Sequence, residues 1–126
     1  MIELKKSERL WTLKLNRPGK ANALTADMLE EIYEIAKNAH TARAFILTGS
    51  GRVFSAGADL EAAKAGLATS DVWERVSSAI AALPCLTIAA LNGTLAGGAF
   101  GMALACDLRL AVPTAKFFYP VMALGY

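Results

Sequence analysis

The stretch NGTLAGGAFGMALACD, residues 92–107, decides how this chain is read. Gly, Ala and Thr crowd a long uncharged run, so little side chain separates the backbone from whatever lies against it. Small residues permit close approach, and three partners fit: a packed helix, a lipid-embedded helix or a ligand. Gly93, Gly97 and Gly101 recur at every fourth position, the spacing that brings membrane helices together, and no charge interrupts residues 76–106. That is longer than a membrane span needs. Pro84, the Asn92-Gly93 turn signal and the Ser77-Ser78 pair nevertheless divide the run into pieces too short to span. Its average residue is also alanine-like, which makes insertion weakly favourable, so the run is read as non-membrane.

The 126 residues fit one domain with a real core. With 55% hydrophobic residues, 19% charged and a mean hydropathy of +0.38, the chain is apolar for a water-facing domain of this size. Its formal charge of +2 comes from scattered Lys and Arg without a basic stripe, which gives nucleic-acid binding no support. Cys85 and Cys106 make no disulfide framework. With His40 as the one histidine, no Cys/His metal site is expected. The N-terminus mixes charge with apolar positions and offers no signal-peptide core, so a cytoplasmic, reducing location is the expectation.

Outward from the glycine run, the periodicities alternate between strand and helix. IELK and residues 10–15, LWTLKL, predict a hairpin; NRPGKAN predicts a loop punctuated by Pro18 and Gly19. Thr25 caps a predicted helix with Asp27 in its first turn, and Leu29, Ile32, Tyr33 and Ala36 form its apolar stripe to about Asn38. A buried strand is expected over residues 43–48, then a short extended piece entering the turn of RVFSAGADL. A helix is expected from Ser70, with Trp73, Val76, Ile80 and Leu83 on one side and Pro84 closing it. CLTIAAL predicts a strand, NGTLAGG a turn, GGAFGMALA a helix and LRLAV a final strand. The order defines an α/β fold.

Two segments of tiny residues sit at predicted loop-to-helix junctions: FSAGAD, residues 54–59, and AGGAF, residues 96–100. Amides at a helix start are free and the helix dipole reinforces them; two such amides aimed at one point would hold a developing oxyanion. The plainer reading is that Gly57 makes a turn and Gly97, Gly98 and Gly101 only allow close packing. The residues alone leave both open. Neither segment is a P-loop or a G-x-G-x-x-G fingerprint, and no G-x-S-x-G elbow surrounds Ser55.

Taken together, LNRPGKANALT, GRVFSAGADL and AALNGTLAGGAFGMALACDLRLA, in this order, resemble the three signatures of the enoyl-CoA hydratase/isomerase, or crotonase, superfamily. The resemblance covers nearly the whole chain. It implies a crotonase-like spiral of ββα repeats, assembly as a homotrimer or a pair of trimers, and acyl-CoA thioesters as substrates, with coenzyme A as part of the substrate and no separate cofactor. By position it implies oxyanion donors at the amides of Ala58 and Gly98. It likewise implies a coenzyme A path along Ala21, Ala56, Gly57, Ala58, Asp59, Leu60 and Gly98. The family's chains are about twice as long, so residues 1–126 are expected to form the N-terminal part of one domain, incomplete at the C-terminus. Apolar faces that the remainder would cover then explain the composition.

The family's two acid/base glutamates fall at Gly101 and Val121 here, and neither residue can carry a proton. Ordinary hydration or isomerisation through those positions is therefore not expected, and a divergent acyl-CoA reaction or a non-catalytic acyl-CoA cradle of the same fold stands beside it. Among local polar groups, Asp59 reads as a turn and cap residue, Glu61 as solvent-facing, Tyr119 as a core or interface ring and His40 as a surface group. Asp107, where the dipole disfavours a carboxylate, calls for a specific hydrogen-bond or salt-bridge partner. Cys106 reads as core packing.

Overall fold

The computed structural model describes residues 1–119 of the chain, so Val121 lies outside the described residues. The hairpin forms as expected: β1 (Ile2–Ser7) and β2 (Leu10–Leu15) pair antiparallel, turning at Glu8 with φ 58°. Along β2 the buried Trp11, Leu13 and Leu15 alternate with half-buried Thr12 and Lys14, the period of a strand with one core face. Helix α1 (Ala26–Asn38) begins at Thr25, whose hydroxyl accepts from the Met28 amide at 3.2 Å. Such a cap contributes about 1 kcal/mol. Its buried stripe of Met28, Leu29, Ile32 and Ala36 lies on the sheet.

The chain then alternates between two sheets. Strand β3 (Ala44–Gly49) joins the first and β4 (Val53–Ser55) the second, followed by α2 (Leu60–Lys64) and α3 (Val72–Ala81). Strand β5 (Leu86–Leu91) returns to the first sheet and β6 (Thr94–Ala96) to the second, followed by a 3-10 turn (Gly97–Ala99) and α4 (Phe100–Leu104). Strands β7 (Leu108–Ala111) and β8 (Phe117–Phe118) repeat the step. The five-stranded sheet runs β1-β2-β3-β5-β7, parallel after the hairpin, and the parallel three-stranded sheet runs β4-β6-β8. This is the ββα spiral. Across β2, β3 and β5 the register aligns Leu13, Leu47 and Ala89, all fully buried in one cluster with the apolar faces of α1 and α3.

Several expectations change. NGTLAGG is not all turn, because residues 94–96 form a strand between β4 and β8. Three residues are too few to show a period; their partners lie about forty positions back and twenty ahead. The helix of GGAFGMALA shrinks to α4, whose five residues carry little dipole. The three spaced glycines fall before a strand, in a 3-10 turn and in α4, so they form no helix stripe. No helix among the described residues is long and apolar enough to cross a membrane. Helix α3 starts at Val72, although the Ser70 hydroxyl still accepts from the Val72 amide at 3.2 Å. Its core face is Val72, Val76 and Ile80, which turns Trp73 to a different side.

Asp107 has the partner its position demands. Its carboxylate accepts from the Thr87 amide at 3.0 Å while the Thr87 hydroxyl accepts from the Asp107 amide at 2.8 Å, locking the entry of β7 to β5. Large apolar residues nevertheless remain exposed along this side of the fold: Leu104, Leu108, Leu110, Val112, Phe117 and Phe118.

Candidate functional site

The parallel pairing of β4 with β6 decides where the two small-residue segments end up. Parallel neighbours finish at the same end of the sheet, so the turns that follow them lie side by side. Gly57 takes φ 98° and Gly97 φ 60°, both left-handed. A Cβ on Gly57 would stand 3.1 Å from the Ala96 carbonyl oxygen and 3.4 Å from the Gly98 nitrogen. The close approach needs glycine for both space and conformation.

A third segment holds the first turn in place. The Ala21 carbonyl accepts from the Ala56 amide at 3.0 Å, the Gly57 carbonyl from the Leu24 amide at 2.8 Å, and the Leu24 carbonyl from the Asp59 amide at 2.8 Å. Leu24 and Ala58 thereby form an isolated parallel bridge. In such a bridge the groups flanking Ala58 face Leu24, so the Ala58 amide itself faces away. Among the described residues nothing accepts a hydrogen bond from that amide, nor from that of Gly98, which is in the first turn of a helical segment.

Ala58 and Gly98 line one cavity of about 720 Å³. Its far wall is α3. The Trp73 ring lies against Gly98, where a Cβ would come within 2.9 Å of it, and the indole is held by donation from Nε1 to the Leu67 carbonyl at 2.8 Å. One turn further on, the Ser77 hydroxyl stands 2.8 Å from the place a Cβ on Gly101 would take. Ser70, Trp73, Glu74 and Ser77 all border the cavity; Trp73 and Glu74 lie three and four positions after Ser70, and Ser77 four and three positions after them, the spacing of one helix face.

The remaining candidates separate. Asp59 accepts from the Ala62 amide at 3.0 Å as the N-cap of α2 and pairs with Arg17 at 2.9 Å. The Ala62 amide foremost, then Arg17, holds its carboxyl below the usual value. Leu60 is 68% exposed and Glu61 reaches only Lys64, at 4.0 Å on the surface. Tyr119 borders the cavity, edge-on to Phe100 with ring centres 5.7 Å apart; it is exposed rather than a core ring. His40 borders a different hollow, beside Arg9 and Trp11. Burial pushes the Cys106 thiol up to about 11, which keeps it protonated at neutral pH and unsuited to nucleophilic attack. The described residues contain no cluster that would hold a metal ion.

Sequence reading missed the α3 wall and the asparagines behind it. Buried Asn22 takes φ 52°, accepts from the Arg17 amide at 2.7 Å and donates to the carbonyls of Ser50 and Val53 at 2.9 and 2.8 Å. Asn92 also donates to Val53, at 3.1 Å, and accepts from the Gly49 amide at 3.1 Å. The polar positions 70, 74 and 77, opposite Val72, Val76 and Ile80, were the available signal for the wall.

A ββα spiral with paired glycine turns at one end of its three-stranded sheet defines a class, and comparison with known proteins agrees. The model of the enoyl-CoA hydratase/isomerase family matches residues 5–126, and the chain belongs to that family. It is 35% identical over 127 residues to the Mycobacterium tuberculosis (strain CDC 1551 / Oshkosh) protein named "Probable enoyl-CoA hydratase echA6", covering 99% of this chain and 52% of that one. It is 34% identical over 137 residues to 4-chlorobenzoyl coenzyme A dehalogenase-2 of an Arthrobacter species, covering 98% and 49%. Among solved structures, Pseudomonas aeruginosa AtuE superimposes with a TM-score of 0.89 at 27% identity, covering 98% of this chain and 52% of that one. The chain thus spans about half the length of the relatives it matches.

Proposed function

We propose that the protein containing this chain is an acyl-CoA-processing enzyme that stabilises a thioester enolate between the backbone amides of Ala58 and Gly98. The observation that carries this reading is the juxtaposition of the two turns. The turns lie so close that a Cβ on Gly57 would stand 3.3 Å from the Gly97 Cα and 3.4 Å from the Gly98 nitrogen, and the residues bearing the two free amides border the same cavity. Amide donors fixed in advance by strand pairing and by the Leu24 bridge lose nothing to reorganisation when charge develops on the thioester oxygen, which is the main requirement of an oxyanion hole.

Coenzyme A enters as part of the substrate, along Ala21 and the segment from Ala56 to Leu60, which the Ala21–Ala56 hydrogen bond already places side by side. We assign the whole protein to the cytoplasm and to a homotrimer or hexamer on family grounds, with neither nucleic acid nor membrane as a partner. Gly101 has no side chain to move a proton, and Ser77 occupies the adjacent space. The reaction is therefore assigned only as chemistry on an acyl-CoA thioester, and a relative named as a 4-chlorobenzoyl coenzyme A dehalogenase carries a reaction other than hydration or isomerisation.

The test is to incubate the whole protein with crotonyl-CoA and a panel of other acyl-CoA thioesters, following binding and product by mass spectrometry. Conversion of any thioester supports the enzyme. Binding throughout with no conversion favours a non-catalytic cradle, and no binding to any thioester overturns the reading.

A further inference from the structure

The cavity lacks a side chain where α4 would be expected to supply one, yet α3 presents polar groups from the opposite wall. We propose that Glu74 is the proton-transfer group of this site, taking the α-proton of the bound acyl group while Ala58 and Gly98 receive the enolate oxygen. The inference rests on the thioester reading above and deepens it by naming the base.

Three observations carry it. The first is register: Trp73 is wedged against Gly98 and pinned by Leu67, and Ser77 is seated against Gly101, so the residues on either side of Glu74 along this helix face are fixed against the oxyanion segment. Glycine at both positions is what admits α3 this closely. The second is elimination among the ionisable groups bordering the cavity. Asp71 is engaged by Arg75 at 3.2 Å, and Tyr119 offers a hydroxyl rather than a carboxylate. Glu74 has no ion pair among the described residues. The third is access. Glu74 is exposed at the rim, bordering both this cavity and the hollow beside Tyr33 and Lys37, so its carboxylate can exchange its proton with solvent between turnovers.

The step balances without a further reactant. The Cα–H bond breaks, its proton passes to a Glu74 carboxylate oxygen, and its electron pair enters the thioester as the enolate. Return of a proton from Glu74 to the same carbon regenerates the thioester. In D2O that return delivers deuterium, so exchange reports the step whatever the later chemistry.

The experiment uses the whole protein with butyryl-CoA in D2O, reading deuterium at the α-carbon by mass spectrometry and the Kd by calorimetry. The wild type is expected to exchange. Glu74→Gln is expected to exchange about 10²- to 10⁴-fold more slowly with Kd changed by less than about threefold. Glu74→Asp should recover part of the rate, and Glu31→Gln, an exposed charge change on α1, should leave it unchanged. Wild-type exchange in Glu74→Gln overturns the proposal while leaving the thioester reading intact, as does a wild type that binds without exchanging. Loss of binding together with exchange assigns Glu74 to binding and overturns the proton role. A wild type that binds no thioester overturns the underlying reading instead.

Discussion

The two glycine turns are built alike and finished differently. Each follows a three-residue strand of the three-stranded sheet, passes through a left-handed glycine and enters a five-residue helix. After Gly57 the chain is tied by hydrogen bonds: the Asp59 side chain caps α2 and pairs with Arg17, and the Leu24 backbone bridges the segment at Ala58. After Gly97 no side chain caps the turn or α4; the segment is fixed by what leans on it, Trp73 over Gly98 and Ser77 over Gly101. One amide is thus positioned by hydrogen bonds and the other by packing. An electrostatic change should act mainly on the first turn, and a change of volume on the second.

The largest effect should come from disturbing what the turns share. Gly93 lies at the entry to β6, where any Cβ would collide with the Arg52 carbonyl before β4. Gly93→Ala must therefore separate the two strands and should cost about 3 kcal/mol of folding stability, read from urea unfolding. Wild-type stability would show that the pairing of β4 with β6 does not hold the turns together.

Gly57→Ala comes next. It places an alanine at φ 98° with its Cβ 3.1 Å from the Ala96 carbonyl oxygen. A stability loss of about 2 kcal/mol is expected from the backbone strain, together with a weakened Kd for thioester because the two turns are pushed apart. Unchanged thioester binding in a folded variant would break the link between turn spacing and the site.

The smallest effect is the most selective. Asp59→Asn keeps a capping side chain but removes the charge paired with Arg17. Because the folded carboxyl is held below its ordinary value, its stabilisation is complete above that value, about 4, and disappears as pH falls through the lower folded value. The difference in urea midpoint between wild type and variant should be constant near neutrality and shrink on acidification. A difference that does not change with pH would deny the first turn its electrostatic tie.

What could be read from the sequence follows from how local each cause is. The α1 stripe of Leu29, Ile32 and Ala36 and the Thr25 cap are local, and both formed where the pattern placed them. The glycine segments were legible because Gly57 and Gly97 meet backbone demands that other residues resist. Strand β6 and helix α2 were not, since three and five residues complete too little of a period. Trp73 was assigned to the core face because position 73 borders it on a helical projection; only docking of α3 against Gly98 turned the ring toward the cavity. The same docking makes a wall of Ser70, Glu74 and Ser77, which as a sequence is simply the polar side of an amphipathic helix.

Asn22 ties the Arg17 amide to the carbonyls of Ser50 and Val53, and its own carbonyl accepts the Ser55 hydroxyl that in turn receives the Gly57 amide. One buried amide side chain thus stands at the centre of three loops. Loosening any of them exposes polar atoms in the other two, so the cradle should open as a single cooperative unit, with the amides of Arg17, Ala56 and Gly57 exchanging with solvent together instead of fraying one loop at a time.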